Sequence, residues 1–276
     1  MSVAPVDPFT AAGLRAAATV RLLAHDPSLA DGLDRHEAER ASEQAWARVV
    51  ELPVGDAQLP ADPGAFRGWW GLLLLDGFVL RRVEVGRASW PELLGADDLM
   101  RPWTAASDTL SSIPAHARFD VVARTRIALL DRSFALRVAP WPEVAAALLD
   151  RAVERAHGLA CRLAAGQPSR IDERVWMTLW QLADRWGTRR GDGVELAVPN
   201  LSHRVLAEMT GARRPTVSLA VRRLADAGLL THRPRHGWTL RGAPESLPAA
   251  VPGLDRHRPV GPVTVHEVGS PARASG

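Results

Sequence analysis

The apolar positions of this 276-residue chain change period several times. The first thirty residues read as a loose lead-in, and Asp34–Trp46 is a polar stretch with helical spacing. β-like runs follow at Val49-Val50, Leu52–Val54, Gly71–Leu75, Phe78–Leu80, Val83–Val85, Phe119–Ala123, Ile127–Leu130 and Phe134–Val138, separated by turn-forming residues. Gly71–Leu75 and Phe78–Leu80 flank Asp76-Gly77, a pattern that predicts a tight hairpin. Short strands with such frequent turn signals predict an antiparallel roll or barrel.

At Pro142 the period becomes helical. Ala146, Leu149, Val153, Ala156, Ala160 and Leu163 alternate spacings of three and four, a heptad seam with charges outside it. Its small residues suit the close approach of a second copy; the alternative is a helix packed on its own domain, and Leu148 and Leu159 predict that one side touches the roll. Gly166-Gln167-Pro168 ends the helix. Ile171, Val175, Leu179, Leu182 and Trp186 then form a core stripe stopped by Gly187. From Ala243 onward, residues rich in Pro, Gly, Ala and Ser with little periodicity predict a disordered tail.

Leu201–Leu230 parses residue by residue. Ser202 is a good N-cap for a short helix over His203–Met209. Thr210-Gly211-Ala212 makes a turn. A second helix starts near Arg213, tolerates Pro215 in its first turn, buries Val217, Ala220, Val221 and Leu224, and stops at Gly228. Small Ala207 lets the two helices cross, Gly211 permits the turn, and Val217 fills the space between them, which is the helix-turn-helix spacing. Leu229–His232 and Gly237–Leu240 then read as two strands joined by Arg233-Pro234-Arg235-His236, a basic wing.

Charge sharpens this. The total is +3, yet residues 170–242 carry 13 Arg against 7 acidic residues, whereas residues 1–169 carry 18 against 21. A basic segment on a mildly acidic body is the footprint of a polyanion-binding module. All 34 basic residues are arginine and tyrosine is absent, a composition that reads as a genome rich in G and C. Cys161 is the sole cysteine, so neither an internal disulfide nor a cluster of thiolates is available, and a reducing cytoplasm is the expected compartment. The longest apolar run, Trp69–Leu75, is far short of the ~20 residues of a membrane span, and Asp7-Pro8 replaces a basic leader. No membrane partner is expected. A cupin-like enzyme would need clustered ligands, but the nine histidines are scattered, with His116 alone between Val49 and Val138, and no hydrolase, nucleotide-binding or metalloprotease motif occurs.

On Leu201–Leu230, the preceding Ile171–Gly187 helix, Leu74–Val79 and the turn Leu94-Gly95-Ala96-Asp97-Asp98-Leu99, the sequence resembles the CRP/FNR superfamily of bacterial transcription regulators over about Val20 to Gly242. The resemblance implies an α+β fold: an N-terminal antiparallel β-roll like a cyclic-nucleotide-binding domain (residues 1–141), a dimerisation helix (142–166), a C-terminal winged helix-turn-helix (167–242) and a tail (243–276). It implies a cytoplasmic, homodimeric DNA-binding regulator that is not an enzyme. Position by position, Arg214 matches the family's guanine-reading arginine. Pro215 replaces an acidic base-reading residue and Leu219 replaces a second arginine. Ser202, His203, Arg213, Thr216 and Ser218 fall at phosphate or groove positions, and the wing adds Arg233 and Arg235. The sensor departs from the pattern. Arg101-Pro102 stands where cyclic-nucleotide binders have a Gly-Glu pair, and Ile113–Arg118 supplies no phosphate cassette, so a cyclic nucleotide is not the expected effector. No cofactor is predicted; haem ligation by His25, His36 or His116 is left open, as is a roll that serves only as a scaffold for dimerisation or for contact with RNA polymerase.

Overall fold

The computed structural model describes residues 8–14, 16, 18–60, 62–102, 115–167, 170–233 and 237–244. The expected tail, apart from its first two residues, lies outside these, as do the wing tip and the first two residues of Ile113–Arg118.

The N-terminal part runs α1 (Pro8–Ala11), β1 (Ala18–Arg21), α2 (Leu22–His25), a short turn at Pro27–Ala30, α3 (Arg35–Gln44), β2 (Trp46–Leu52) and β3 (Gly55–Ala57). A second turn at Pro63–Phe66 precedes β4 (Gly71–Val85), β5 (Ala88–Leu94), β6 (Leu99–Met100) and β7 (Ala115–Leu130). Asp34 caps α3 by accepting the Glu37 N–H. Part of the expected lead-in is built into the fold: β1 pairs with β2, and Phe9, Leu22, Leu23 and Leu29 are buried.

All strands pair antiparallel in the order β1-β2-β7-β4-β5, with β3 added to β7 and β6 to β4. β4 and β7 form the spine, running from Gly71 opposite Leu130 to Val85 opposite Ala115. Period-two alternation sends Leu72 and Leu74 to an inner core with Val50, Leu52, Ile127 and Leu129, and Leu73 and Leu75 to the opposite face. Both faces are covered, which is why Gly71–Leu75 reads as an uninterrupted apolar run.

Asp76-Gly77 is not a hairpin. It is an irregularity inside β4, with register shifts against β7 on both sides, and the expected separate strands are segments of β4 and of β7. Gly77 has φ +81°, and a Cβ there would collide with the Arg124 carbonyl and Thr125. The Asp76 carboxylate accepts both the backbone N–H and the Nε–H of Arg126. Phe134–Val138 is likewise not a strand. It belongs to helix α4 (Arg132–Val138), because Asp131 accepts the Phe134 N–H at 2.8 Å and caps the turn while Phe134 and Val138 are buried.

Helix α5 (Pro142–Ala165) follows, with Val144 and Leu148 packed on the roll beside Leu73 and Leu75. All six seam residues, Ala146, Leu149, Val153, Ala156, Ala160 and Leu163, are exposed on its other face. The C-terminal part contains α6 (Ile171–Trp186), β8 (Gly187–Arg190), β9 (Gly193–Leu196), α7 (His203–Met209), α8 (Arg214–Asp226), β10 (Leu230–Arg233) and β11 (Gly237–Arg241). Its sheet order is β10-β11-β9-β8. Gly187 ends α6 as expected, but the chain turns directly into the β8–β9 hairpin, an element not anticipated from the sequence. Val175, Trp176, Leu179, Leu206, Val217, Leu224 and Trp238 form the core here, joined by Leu80 and Leu93 from the roll. No helix among the described residues is long and apolar enough to cross a membrane.

Candidate nucleic-acid interface

The C-terminal helices present one open face. Ser202 starts α7 by accepting the Val205 N–H, and Leu206, Ala207 and Met209 are buried. Thr210 closes the helix by donating its hydroxyl to the Leu206 carbonyl at 2.7 Å, and Gly211 makes the turn at φ +61°. α8 then begins, with Pro215 in its first turn, where the missing N–H has no helical acceptor. Burying Val217, Ala220, Val221 and Leu224 against α6 and α7 leaves Arg213, Arg214, Pro215, Thr216 and Leu219 exposed, Leu219 at 47%.

Ser202 is exposed too. His203 and Ser218 are half-buried and engaged with each other, His203 Nδ1 lying 2.9 Å from Ser218 Oγ. The His203 ring is 5.8 Å from Trp238 and 5.9 Å from His232, and His232 stacks on Trp238 at 4.0 Å. Burial, reinforced by the Arg214 charge, pulls His203 below the usual histidine range, and burial with the neighbouring His203 does the same to His232. The Trp238 indole N–H donates to the Leu201 carbonyl, anchoring the second wing strand to the start of α7. Arg233 is exposed at the end of β10, while Arg235 lies outside the described residues. Sequence reasoning overlooked Arg222, exposed on the same face as Pro215 and Leu219; its spacing of seven and three residues from them was the available signal.

In the roll, the Gly95–Asp98 turn is held by Asp98, whose carboxylate accepts the Gly95 N–H at 2.9 Å. Arg101, in place of the ribose-binding pair, donates its Nε–H to the Trp70 carbonyl at 2.6 Å. His25 faces the Leu75 carbonyl, and His116 is exposed on β7. Among the described residues no three His, Cys, Asp or Glu side chains converge as a metal site.

A roll, a long helix and a helix-turn-helix with its small sheet follow one another along the chain. Residues 173–243 match the Crp-like helix-turn-helix domain family, so the C-terminal part is a domain of that family. The chain as a whole has the fold of CRP/FNR regulators. It is similar to a cyclic nucleotide-binding domain containing protein from Listeria monocytogenes EGD-e, at 16% identity and TM-score 0.57 over 80% of this chain and 98% of that one. A CooA mutant from Carboxydothermus hydrogenoformans aligns at 17% identity and TM-score 0.57, over 86% and 96%. A CRP/FNR family transcriptional regulator from Thermus thermophilus aligns at 17% and 0.51, over 74% and 97%. No curated protein is matched by the sequence.

Proposed function

We propose that the protein is a cytoplasmic, homodimeric transcription regulator that binds a near-palindromic DNA site, with residues 1–141 as a sensor-like roll, 142–166 as the dimerisation helix and 167–242 as the DNA-binding domain. The carrying observation is the exposed N-terminal face of α8, with Arg213, Arg214, Pro215, Thr216 and Leu219 free of the core on a Crp-like helix-turn-helix domain. In this reading α8 enters the major groove, and Arg214 donates both arms of its guanidinium to guanine O6 and N7. Leu219 has no hydrogen-bonding group and meets a thymine methyl. Ser202, Arg213, Thr216, Arg222 and the wing arginines Arg233 and Arg235 serve the phosphates or groove edges, whereas His203 and Ser218 orient α7 against α8.

The dimer reading rests on the six seam residues of α5, all exposed in the single chain. A second α5 would cover them and set the two recognition helices ~34 Å apart, one turn of duplex. A cyclic nucleotide is not the effector in this reading, since Arg101-Pro102 replaces the ribose-binding pair and Arg101 is occupied by Trp70. Fluorescence anisotropy against a library of genomic fragments tests the function. Salt-dependent binding to particular fragments is expected, with Arg214→Ala weakening it by about 1–3 kcal/mol. Absence of binding to every fragment overturns it.

A further inference from the structure

Four arginines gather around two buried carboxylates where the roll, α5 and α6 meet. Glu92, 1% exposed, accepts from Arg81 at 2.7 Å, from Arg155 at 2.9 and 3.0 Å, and from Arg162 at 3.3 Å. Asp98, also 1% exposed, accepts from Arg185 at 2.7 Å. The guanidiniums outnumber the carboxylates by two, and charge withdrawn from water is unfavourable unless it is matched. Arg162 shows the shortfall most directly. It is 7% exposed, its contact to Glu92 is the longest of the set, and its Nε–H is buried with no acceptor. Burial, with Arg185 and Arg155 nearby, holds its guanidinium below the usual arginine range although Glu92 and Asp98 oppose this.

A cleft of about 420 Å³ opens onto this cluster, with Arg155, Arg162, Arg185 and Asp98 among its lining residues. Trp186 forms part of its wall, and the Arg185 guanidinium lies 4.3 Å from the indole ring. Arg151, Asp97, Glu154 and Asp184 also line it; the three acids are exposed, so water and salt screen them more than Arg155 and Arg162, whose side chains are 13% and 7% exposed.

We propose that this cleft binds a small organic anion, seating a single oxyanion head, phosphoryl or carboxylate, on Arg155, Arg162 and Arg185. The head supplies the negative charge that the buried cluster lacks, and the guanidinium forks match the geometry of an oxyanion. The cleft's volume of about 420 Å³ suits a small ligand with one charged head. Arg185 belongs to α6 of the DNA-binding part and Asp98 to the roll, so an occupied cleft competes with Asp98 for Arg185 and acts on the joint between the two parts. The site stands apart from the α8 face and does not depend on the DNA-binding reading.

Isothermal titration of the full chain at low ionic strength, once with inorganic phosphate and once with acetate, tests the proposal without DNA. Saturable one-to-one binding of at least one probe is expected, and the probe that binds identifies the head as phosphoryl or carboxylate. Arg185→Gln, at a partly exposed position, weakens that binding roughly tenfold, the loss of one charge-assisted hydrogen bond. Asp184→Asn, on the exposed rim, tightens it severalfold. Absence of saturable binding of both probes at millimolar concentration, or binding that Arg185→Gln leaves unchanged, overturns the proposal. A circular dichroism melt of each variant confirms that a lost signal is not a lost fold.

Discussion

His203 Nδ1 lies 2.9 Å from Ser218 Oγ, a contact that ties the first residue of α7 to the middle of α8 across the helix-turn-helix. The two helices otherwise meet through apolar side chains, which resist separation but are less demanding about rotation. A hydrogen bond fixes the rotation of α8, and with it the direction of Arg214 and Leu219. Ser218→Ala is expected to lower stability by about 0.5–1.5 kcal/mol. At this chain length a loss of 1 kcal/mol moves the melting temperature by roughly 2–4 °C, which scanning calorimetry resolves.

The histidine pair makes stability depend on pH. His203 and His232 both titrate below the ordinary value of 6.5 in the folded chain, so the unfolded chain binds more protons between the folded and ordinary values. The stabilisation is complete above the ordinary value and is lost as pH falls from there through the folded value. Melting temperature is therefore expected to drop on acidification from pH 7.5 to about 5.5, and to drop less in a His203→Gln/His232→Gln variant. An equal slope in both proteins would refute this origin.

The exposed face of α5 carries the quaternary prediction. Leu149, Val153 and Leu163 are each about 60% exposed in one chain, and no apolar stripe of this length is expected to face water on a monomer. Val153→Arg sits mid-seam and points away from the roll, so the fold is retained while two like charges are placed across the joint. Analytical ultracentrifugation should show a dimer for the parent chain and a monomer for the variant.

Glu92 is the carboxylate shared by Arg81, Arg155 and Arg162. Burial alone would raise its pKa, yet the Arg155 hydrogen bonds and the three positive charges outweigh that and hold it below the usual range. Glu92→Gln leaves the guanidiniums uncompensated and is expected to destabilise the chain by about 3–5 kcal/mol, read from the denaturant midpoint.

Much of this molecule was legible in its sequence, and unevenly so. The helix-turn-helix could be read because its signals are local: a cap at Ser202, small Ala207, a turn glycine at 211 and an apolar stripe ending before Gly228. The α5 helix was legible for the same reason. In the roll the decisive information is non-local. Asp-Gly suits a hairpin turn and a bulge alike, and only the sixteen-residue partner β7 makes β4 continue through Gly77. Phe134–Val138 is too short for its period to decide, and the deciding residue, Asp131, stands just before it. The β8–β9 hairpin escaped notice because its strands are short and β8 is largely exposed. Glu92 and Asp98 gave no sign of their burial, since three of the four arginines that pair with them, Arg155, Arg162 and Arg185, come from helices more than fifty residues away.

Leu80 and Leu93 belong to the roll by sequence, yet they close the core built by α6, α7 and α8. The DNA-binding part thus borrows two of its own interior walls. Cutting the chain before α6 would not release a self-sufficient module; it would bare a hydrophobic wound on the piece removed and another on the piece left behind. The two parts are therefore expected to melt in a single cooperative transition.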